Sequence, residues 1–581
     1  MATINLGGFS NIGGRTVSSG LLSGLDTKAL IEASIAAKKI PITKIEDQVK
    51  VNDSKVAAFN ELKSILNTFK TAVDGLKRVT TVIENTNAFD SRNVVLTTNG
   101  SQSPSSYIGV TAKNGADINS FNLTVDNIAK SKTIMSQSFS SQTTSVTEAA
   151  GGTTAGLFSA GTFQINGKNI EINQGDSLVE IAASINSITN DTNVRASILQ
   201  VAANDYRLVL QSTKTGTAND INIIDVDTET SNVTFSTTQA AEDAKFYLNN
   251  TLITRSDNVI DDAISNVTFT LYQKTPVGVT VNSQINNDNT KVKESIKTFV
   301  GAYNDFMLFA SKQQERDANS KYKETAVLGG DSSLRGVIDN VSLELASVVR
   351  GLNSSPQTLG EIGIKFTDFE GDKDYPKTRN LLDIDDATLD NALATKFDGV
   401  RKIFEFAFEA DSKTVLVASR SNNITVYNFN LTINTALANP NKAIASYNPG
   451  SGTVNVNFTY TGTATAGTLT APSGSVFDGL KFVYAGDGTD NISVKLSQGV
   501  ADRISNYLDG IIKTNGVIDT AIKNLKESNT RYQEEITRKN DELTKYTDKL
   551  IEKFSAVEQA LAEFNSTIMY LDAQIGVMNR K

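Results

Sequence analysis

The sequence predicts a multidomain α+β protein: long terminal helices paired as a coiled-coil stalk, with β-rich head domains inserted between them. Two heptad-like apolar stripes, one towards each end, predict the stalk. Short alternating runs rich in Thr, Ser, Asn and Val predict the heads. A chain of 581 residues has room for about four domains.

Residues 1–24 are small, polar and glycine-rich, which predicts a disordered terminal segment. They lack a basic start followed by an apolar core, so no Sec signal peptide is expected. Stalk helices are expected over 25–85. Asp26 suits an N-cap, and Pro41 is expected to interrupt or kink the helix that follows. Beyond it the stripe runs through Ile42, Ile45, Val49, Val56, Phe59, Leu62, Leu66 and Phe69, with Asn52 filling one slot. The steps are mostly three and four, which is one face of a long helix.

The middle reads as strands separated by polar turns over 86–285, interrupted by a helix at Ser177–Ile185 that Asp176 or Ser177 can cap. A central helical domain packing with the stalk is expected over 286–408. Its first helix carries Val292, Ile296, Phe299, Tyr303 and Phe306 on one face, and further helices fit 333–349 and 386–408. A β-rich insertion spans 409–500, where Val454, Val456, Phe458 and Tyr460 alternate with polar residues.

The C-terminal stalk helix is expected within 501–581. Its stripe runs Ile518, Ile522, Leu525, Asn529, Tyr532, Ile536, Lys539, Leu543, Tyr546, Leu550, Phe554, Val557, Leu561, Phe564, Ile568 and Leu571. The step from Leu550 to Phe554 follows another step of four, a one-residue stutter. Such a helix reaches roughly 85–90 Å and cannot bury its stripe inside one compact domain. The N-terminal helix is its first partner. Asn529 and Lys539 stand where apolar residues are expected; polar residues there cost stability and set register, or mark wet spots.

Composition excludes much chemistry. With 55 Lys+Arg against 64 Asp+Glu the chain is too acidic to suggest a nucleic-acid partner. There is no His and no Cys, so Ser-His-Asp or Cys-His catalysis and ordinary zinc, haem or iron–sulfur sites are excluded. The acidic run Asp368, Glu370, Asp372, Asp374 lacks EF-hand spacing and reads as a solvated loop. Asp383, Asp385 and Asp386 read as a strand end and a helix cap, and Gly486–Asn491 as a hairpin turn. No phosphate loop is present, and no run of about 18 apolar residues suggests a membrane span. No enzyme, cofactor or metal site is expected.

Ser23, Gly24, Leu25 and Asp26, then Leu30-Ile31-Glu32 and Pro41, resemble the opening of the flagellar hook-associated protein 2 family, the bacterial filament capping proteins. Asp243-Ala244, Arg255–Asn258 and Val267–Leu271 are similar to its second signature region, though members often carry Gly where this chain has Asn266. Val300–Asp305, Leu328–Asp331, Ile362–Ile364, Leu389–Phe404 and Gly516–Asp519 continue the likeness in order. Residues of about 156–228 resemble a flagellin-type hook insert. The stretch 409–475 falls outside the resemblance and is expected to be lineage-specific.

The resemblance implies export through the flagellar type III system and a place at the distal filament tip, outside the cell. It implies a homo-oligomeric plate of about five or six copies on helical legs. There exported flagellin is retained, folded and inserted. The implied partners are flagellin, hook-associated junction proteins and a cytoplasmic export chaperone on the C-terminal helix. Two other readings stay open on the residues: another axial flagellar protein such as a hook–filament junction protein, and a surface adhesin.

Overall fold

The computed structural model describes residues 9–12, 15–18, 27–78, 87–225, 233–367 and 380–578. The chain divides into two compact units, Met1–Val82 with Ser295–Lys581, and Ile83–Glu294.

Helix α1 spans Thr27–Asp74, a stretch without glycine, and continues through Pro41. The expected interruption at Pro41 does not occur. Proline deprives the carbonyl four residues earlier of its donor. That residue, Ala37, and Pro41 itself are both exposed, so water can take the donor's place. Within the leader expected to lack order, Phe9–Ile12 pairs antiparallel with Arg15–Ser18, and the second strand lies against the C-terminal helix. Ser23–Asp26, and with them the expected N-cap, lie outside the described residues.

The unit Ile83–Glu294 is β-rich. One five-stranded antiparallel sheet has the order Thr251–Arg255, Ala244–Leu248, Ser120–Asn127, Val281–Asn287, Arg92–Thr98. It shares a core with the sheet Val259–Ile264, Val267–Leu271, Ile108–Ala112, through Phe121, Leu123, Phe246 and Phe269. Asn266 occupies the tight turn between two of these strands with φ +62°, a left-handed conformation that Asn tolerates and Gly adopts freely. A second core gathers Phe163, Ile165, Leu208 and Leu210 around helix α2 (Leu178–Ser187). Ser177 caps α2 in a capping box with Glu180, and the one-turn α3 (Thr189–Thr192) follows.

Helix α4 (Asn289–Gln314), most of which belongs to the other unit, and α5 (Ser332–Ala346) follow the expected periodicity. The stretch expected as one helix over 386–408 is instead α6 (Asp386–Thr395), α7 (Phe397–Phe404) and a strand from Phe406. Lys396 leaves the helical region, with φ −138° and ψ 39°, and α7 turns its own apolar face, Val400, Ile403 and Phe404, inward. Asp385 caps α6 by accepting from Ala387 N and Thr388 N, both at 3.1 Å. The acidic run 368–374 lies outside the described residues.

The insertion is an eight-stranded antiparallel near-barrel from Phe406 to Gln498. Its first strand, Phe406–Ala410, and its second, Val415–Ser419, are the two ends of the sheet, so the sheet curls back on itself. Phe429, Phe458, Phe477 and Phe482 fill the interior, with the Phe429 and Phe477 rings 4.6 Å apart. The barrel is therefore a packed core. Gly486–Gly488 turns the chain, but not as the expected hairpin: the strands it joins, Lys481–Ala485 and Thr489–Gln498, pair with other strands and not with each other. Tyr484 Oη donates to Asp490 and accepts from Gly488 N in the turn.

Helix α8 (Val500–Ile512) returns from the barrel, and α9 (Val517–Met578) follows after a short break. Gly516 sets that break: a Cβ there would lie 2.6 Å from the Ile511 carbonyl oxygen. At 62 residues α9 is about 93 Å long. It runs antiparallel to α1: Lys63 pairs with Asp519, Asn52 with Asn529, and Ile31 clusters with Ile551.

The α1 stripe has two clients. Towards its C-terminal end, Phe69 packs on α4, with ring centroids 5.8 Å from Phe299, 6.0 Å from Tyr303 and 6.5 Å from Phe306. Replacing Phe69 by Ala should cost about 3–5 kcal/mol. Calorimetry of the full chain is expected to show the transition of the helical unit shifted down, with the transition of Ile83–Glu294 unmoved. An unchanged thermogram would contradict this packing.

Candidate functional site: the paired terminal helices

The structure places the α1 stripe residues on one face. Ile42, Phe59, Leu62, Leu66 and Phe69 are buried, and Ile45, Val49 and Val56 are half-buried. On α9, Ile518 and Ile536 are buried. Ile522, Leu525, Tyr532, Leu543, Tyr546, Leu550, Phe554 and Leu561 are half-buried. Val557, Phe564, Ile568 and Leu571 are exposed, at 46%, 63%, 40% and 50%. The reason is length. The start of α1 meets α9 at Leu550–Phe554, and α9 continues for about 35 Å beyond.

At the stutter the helix turns Ile551 inward against Ile31, and Leu550 and Phe554 flank the pair. An extra residue between heptads rotates the seam, so the buried position shifts by one. Asn529 is not a wet spot. It accepts from Asn52 Nδ2 at 2.9 Å and donates its own amide to Asp53 Oδ1 at 2.7 Å. This matched polar pair holds only in one alignment of α1 on α9, which is how a polar seam residue sets register. Among the described residues Lys539 makes no cross-helix ion pair; its ammonium lies 3.6 Å from Glu535 on its own helix. Lys38 reaches across instead, 5.4 Å from the Tyr546 ring centroid.

Residues shared with the family likeness have structural work to do. Tyr303 Oη donates to the Asn380 carbonyl at 2.8 Å, and burial pushes its phenol up to about 12. Asn304 holds Leu382 through both its amide nitrogen (2.9 Å to the carbonyl) and its amide oxygen (2.8 Å from N–H). Asp331 caps α5, accepting from Ser333 N at 2.8 Å. Gly329 lies under the Tyr322 ring, where a Cβ would come within 2.4 Å.

A polar junction that periodicity does not flag closes the base of the stalk. Asp74, at the end of α1, lies 2.5 Å from Lys70 Nζ and 3.0 Å from Lys77 Nζ, and accepts from Ser505 Oγ at 2.7 Å. Burial pushes its carboxyl up, but the hydrogen bonds from Lys70, Ser505 and Lys77 outweigh it and hold the pKa below the usual aspartate value. A lowered folded-state pKa gives stability that is present at neutral pH and lost as pH falls through it. The stability gap between wild type and Asp74→Asn, measured by urea denaturation, should therefore be full at pH 7 and close below about pH 4. A gap that does not change with pH would contradict the assignment.

Among the described residues no group of His, Cys, Asp or Glu is placed to hold a metal ion. No described helix is long and apolar enough to cross a membrane.

Comparison with known proteins matches residues 23–132 to the flagellar hook-associated protein 2 N-terminus and 241–566 to the flagellar hook-associated protein 2 C-terminus. Residues 162–214 match the flagellin hook IN motif. The chain is 26% identical over 406 residues to the flagellar hook-associated protein 2 of Aeromonas caviae, covering 67% of this chain and 80% of that protein. It is 32% identical over 252 residues to that of Salmonella typhimurium, covering 40% and 50%. The crystal structure of the Escherichia coli flagellar cap protein FliD, domains D1–D3, is similar at 22% identity and a TM-score of 0.48, covering 81% of this chain and 99% of that one. With a family model spanning more than half of its length, this chain belongs to the flagellar hook-associated protein 2 family, the structural, non-enzymatic flagellar cap proteins.

Proposed function

We propose that this protein forms the cap at the distal tip of the bacterial flagellar filament, leaving the cell through the flagellar type III system. It acts there as a homo-oligomeric ring of about five or six copies. The β-rich units form the plate, and the paired terminal helices form legs that rest on the filament end. Flagellin delivered through the filament is retained beneath the plate, folds there and joins the filament, and the legs then re-seat. Hook-associated junction proteins are its neighbours before the first flagellin arrives. A cytoplasmic export chaperone covers the C-terminal helix before export.

One observation carries this reading: α9 projects past α1 with Phe564, Ile568, Leu571 and Ile575 exposed on it. An apolar stripe left bare on a monomer marks an interaction surface. Its contacts are many and individually modest, which suits an attachment that is broken and remade as each subunit is added.

The triple substitution of Phe564, Ile568 and Leu571 to Ser tests it. The variant should still be exported, while flagellin monomers accumulate in the medium and filaments stay short. Filaments of normal length and unimpaired swimming would overturn the proposal. Loss of export would instead assign the stripe to chaperone recognition alone.

A further inference from the structure

The near-barrel is tied to the helices by more than the two strands that enter and leave it. The segment Arg420–Asn422, just past the strand Val415–Ser419, folds back onto the barrel's root. Arg420 Nε donates to Asp502 Oδ1 on α8 at 2.9 Å, and its Nη2 donates to the carbonyl of Arg78, just beyond α1, at 2.6 Å. The guanidinium carbon lies 4.4 Å from the centroid of the Phe406 ring on the barrel's first strand. One planar group thus touches α8, the end of α1 and the barrel.

The surroundings reinforce this contact. Gln498 Nε2 donates to the other Asp502 oxygen at 3.0 Å, and Asn422 Nδ2 donates to the Arg503 carbonyl at 2.8 Å. Arg503 in turn lies 3.0 Å from Glu344 on α5. The pair is dry: the Arg420 and Asp502 side chains are 7% and 1% exposed. A buried ion pair is weak evidence for stability, because desolvation opposes the attraction, and geometric specificity is its better-attested use. Arginine suits that use, since its fork can serve a carboxylate and a carbonyl while its face stacks on a ring; lysine cannot do all three.

We propose that Arg420 is a latch that fixes the inserted near-barrel to the end of α1, so that helix and barrel move as one body and part only when the Arg420–Asp502 pair opens. Without the latch, the entering and leaving strands at Phe406 and Gln498 act as a hinge. Movement of α1 then reaches the barrel only by way of α8, to which Asp74 stays bonded through Ser505.

Hydrogen-exchange mass spectrometry on the full chain tests this, comparing wild type with Arg420→Ala, Arg420→Lys and Asp502→Asn. The expected result is exchange at least about tenfold faster in 70–78 and 499–512 for Arg420→Ala and Asp502→Asn. Barrel strands Asn428–Asn434 and Val454–Gly462 should keep their wild-type protection in every variant, and Arg420→Lys should show only part of the protection of 70–78 and 499–512. Unchanged exchange in 70–78 and 499–512 would overturn the latch. So would equal loss of protection throughout the barrel, which would make Arg420 a stabiliser of the barrel fold and nothing more.

Discussion

Everything in this chain hangs on the antiparallel seam between α1 and α9. It joins the first and last long helices, so every described element between them in sequence is an insertion between the two helices of one stalk. The seam also fixes where the bare part of α9 begins, because α1 stops covering it at Ile551 and Phe554. The stripe of α9 needs a partner to cover it, and pairing with α1 supplies that cover for the first part of its length.

The seam is graded. Near α8 it merges with a true core, where Leu62, Leu66, Phe69 and Val73 are fully buried against other helices as well. Further along, most stripe residues are half-buried, and a hydrogen-bonded pair, Asn52 with Asn529, replaces an apolar layer. At the far end the stripe is exposed. Burial of the stripe therefore falls from the body of the unit towards the tip of α9, so local opening is expected to be easiest at that tip.

The long elements were legible because their periodicity is long. The start of α9 at Val517 follows from Gly516, and the stripes fall on the faces that meet. Other features were hidden for physical reasons. The split of 386–408 turns on one residue, Lys396, whose conformation no pattern announces. The swap of Ile551 for Leu550 at the stutter needs the partner helix to be visible. Proline at position 41 reads as a break, yet exposure lets the helix keep going. The junction at Asp74 and the latch at Arg420 join residues hundreds of positions apart, and Arg420 reaches a carbonyl 342 residues earlier. Sequence spacing carries no trace of such contacts. The likeness to the family supplied the order of the motifs, and the structure supplied the reason for several of them, such as Tyr303 and Asn304 clamping Asn380 and Leu382 where the strand Leu382–Ile384 begins.

The most direct measurement is a disulfide trap across the seam. The chain has no cysteine, so introduced pairs report cleanly. Lys63→Cys with Asp519→Cys replaces an ion pair that bridges α1 and α9, and Lys63→Cys with Lys526→Cys shifts the partner two turns along the same helix. Under mild oxidation of dilute full-length protein, the account predicts rapid intramolecular closure for the first pair and none for the second. Equal closure of both pairs, or cross-linking only between molecules, would contradict the intrachain antiparallel seam on which the account rests.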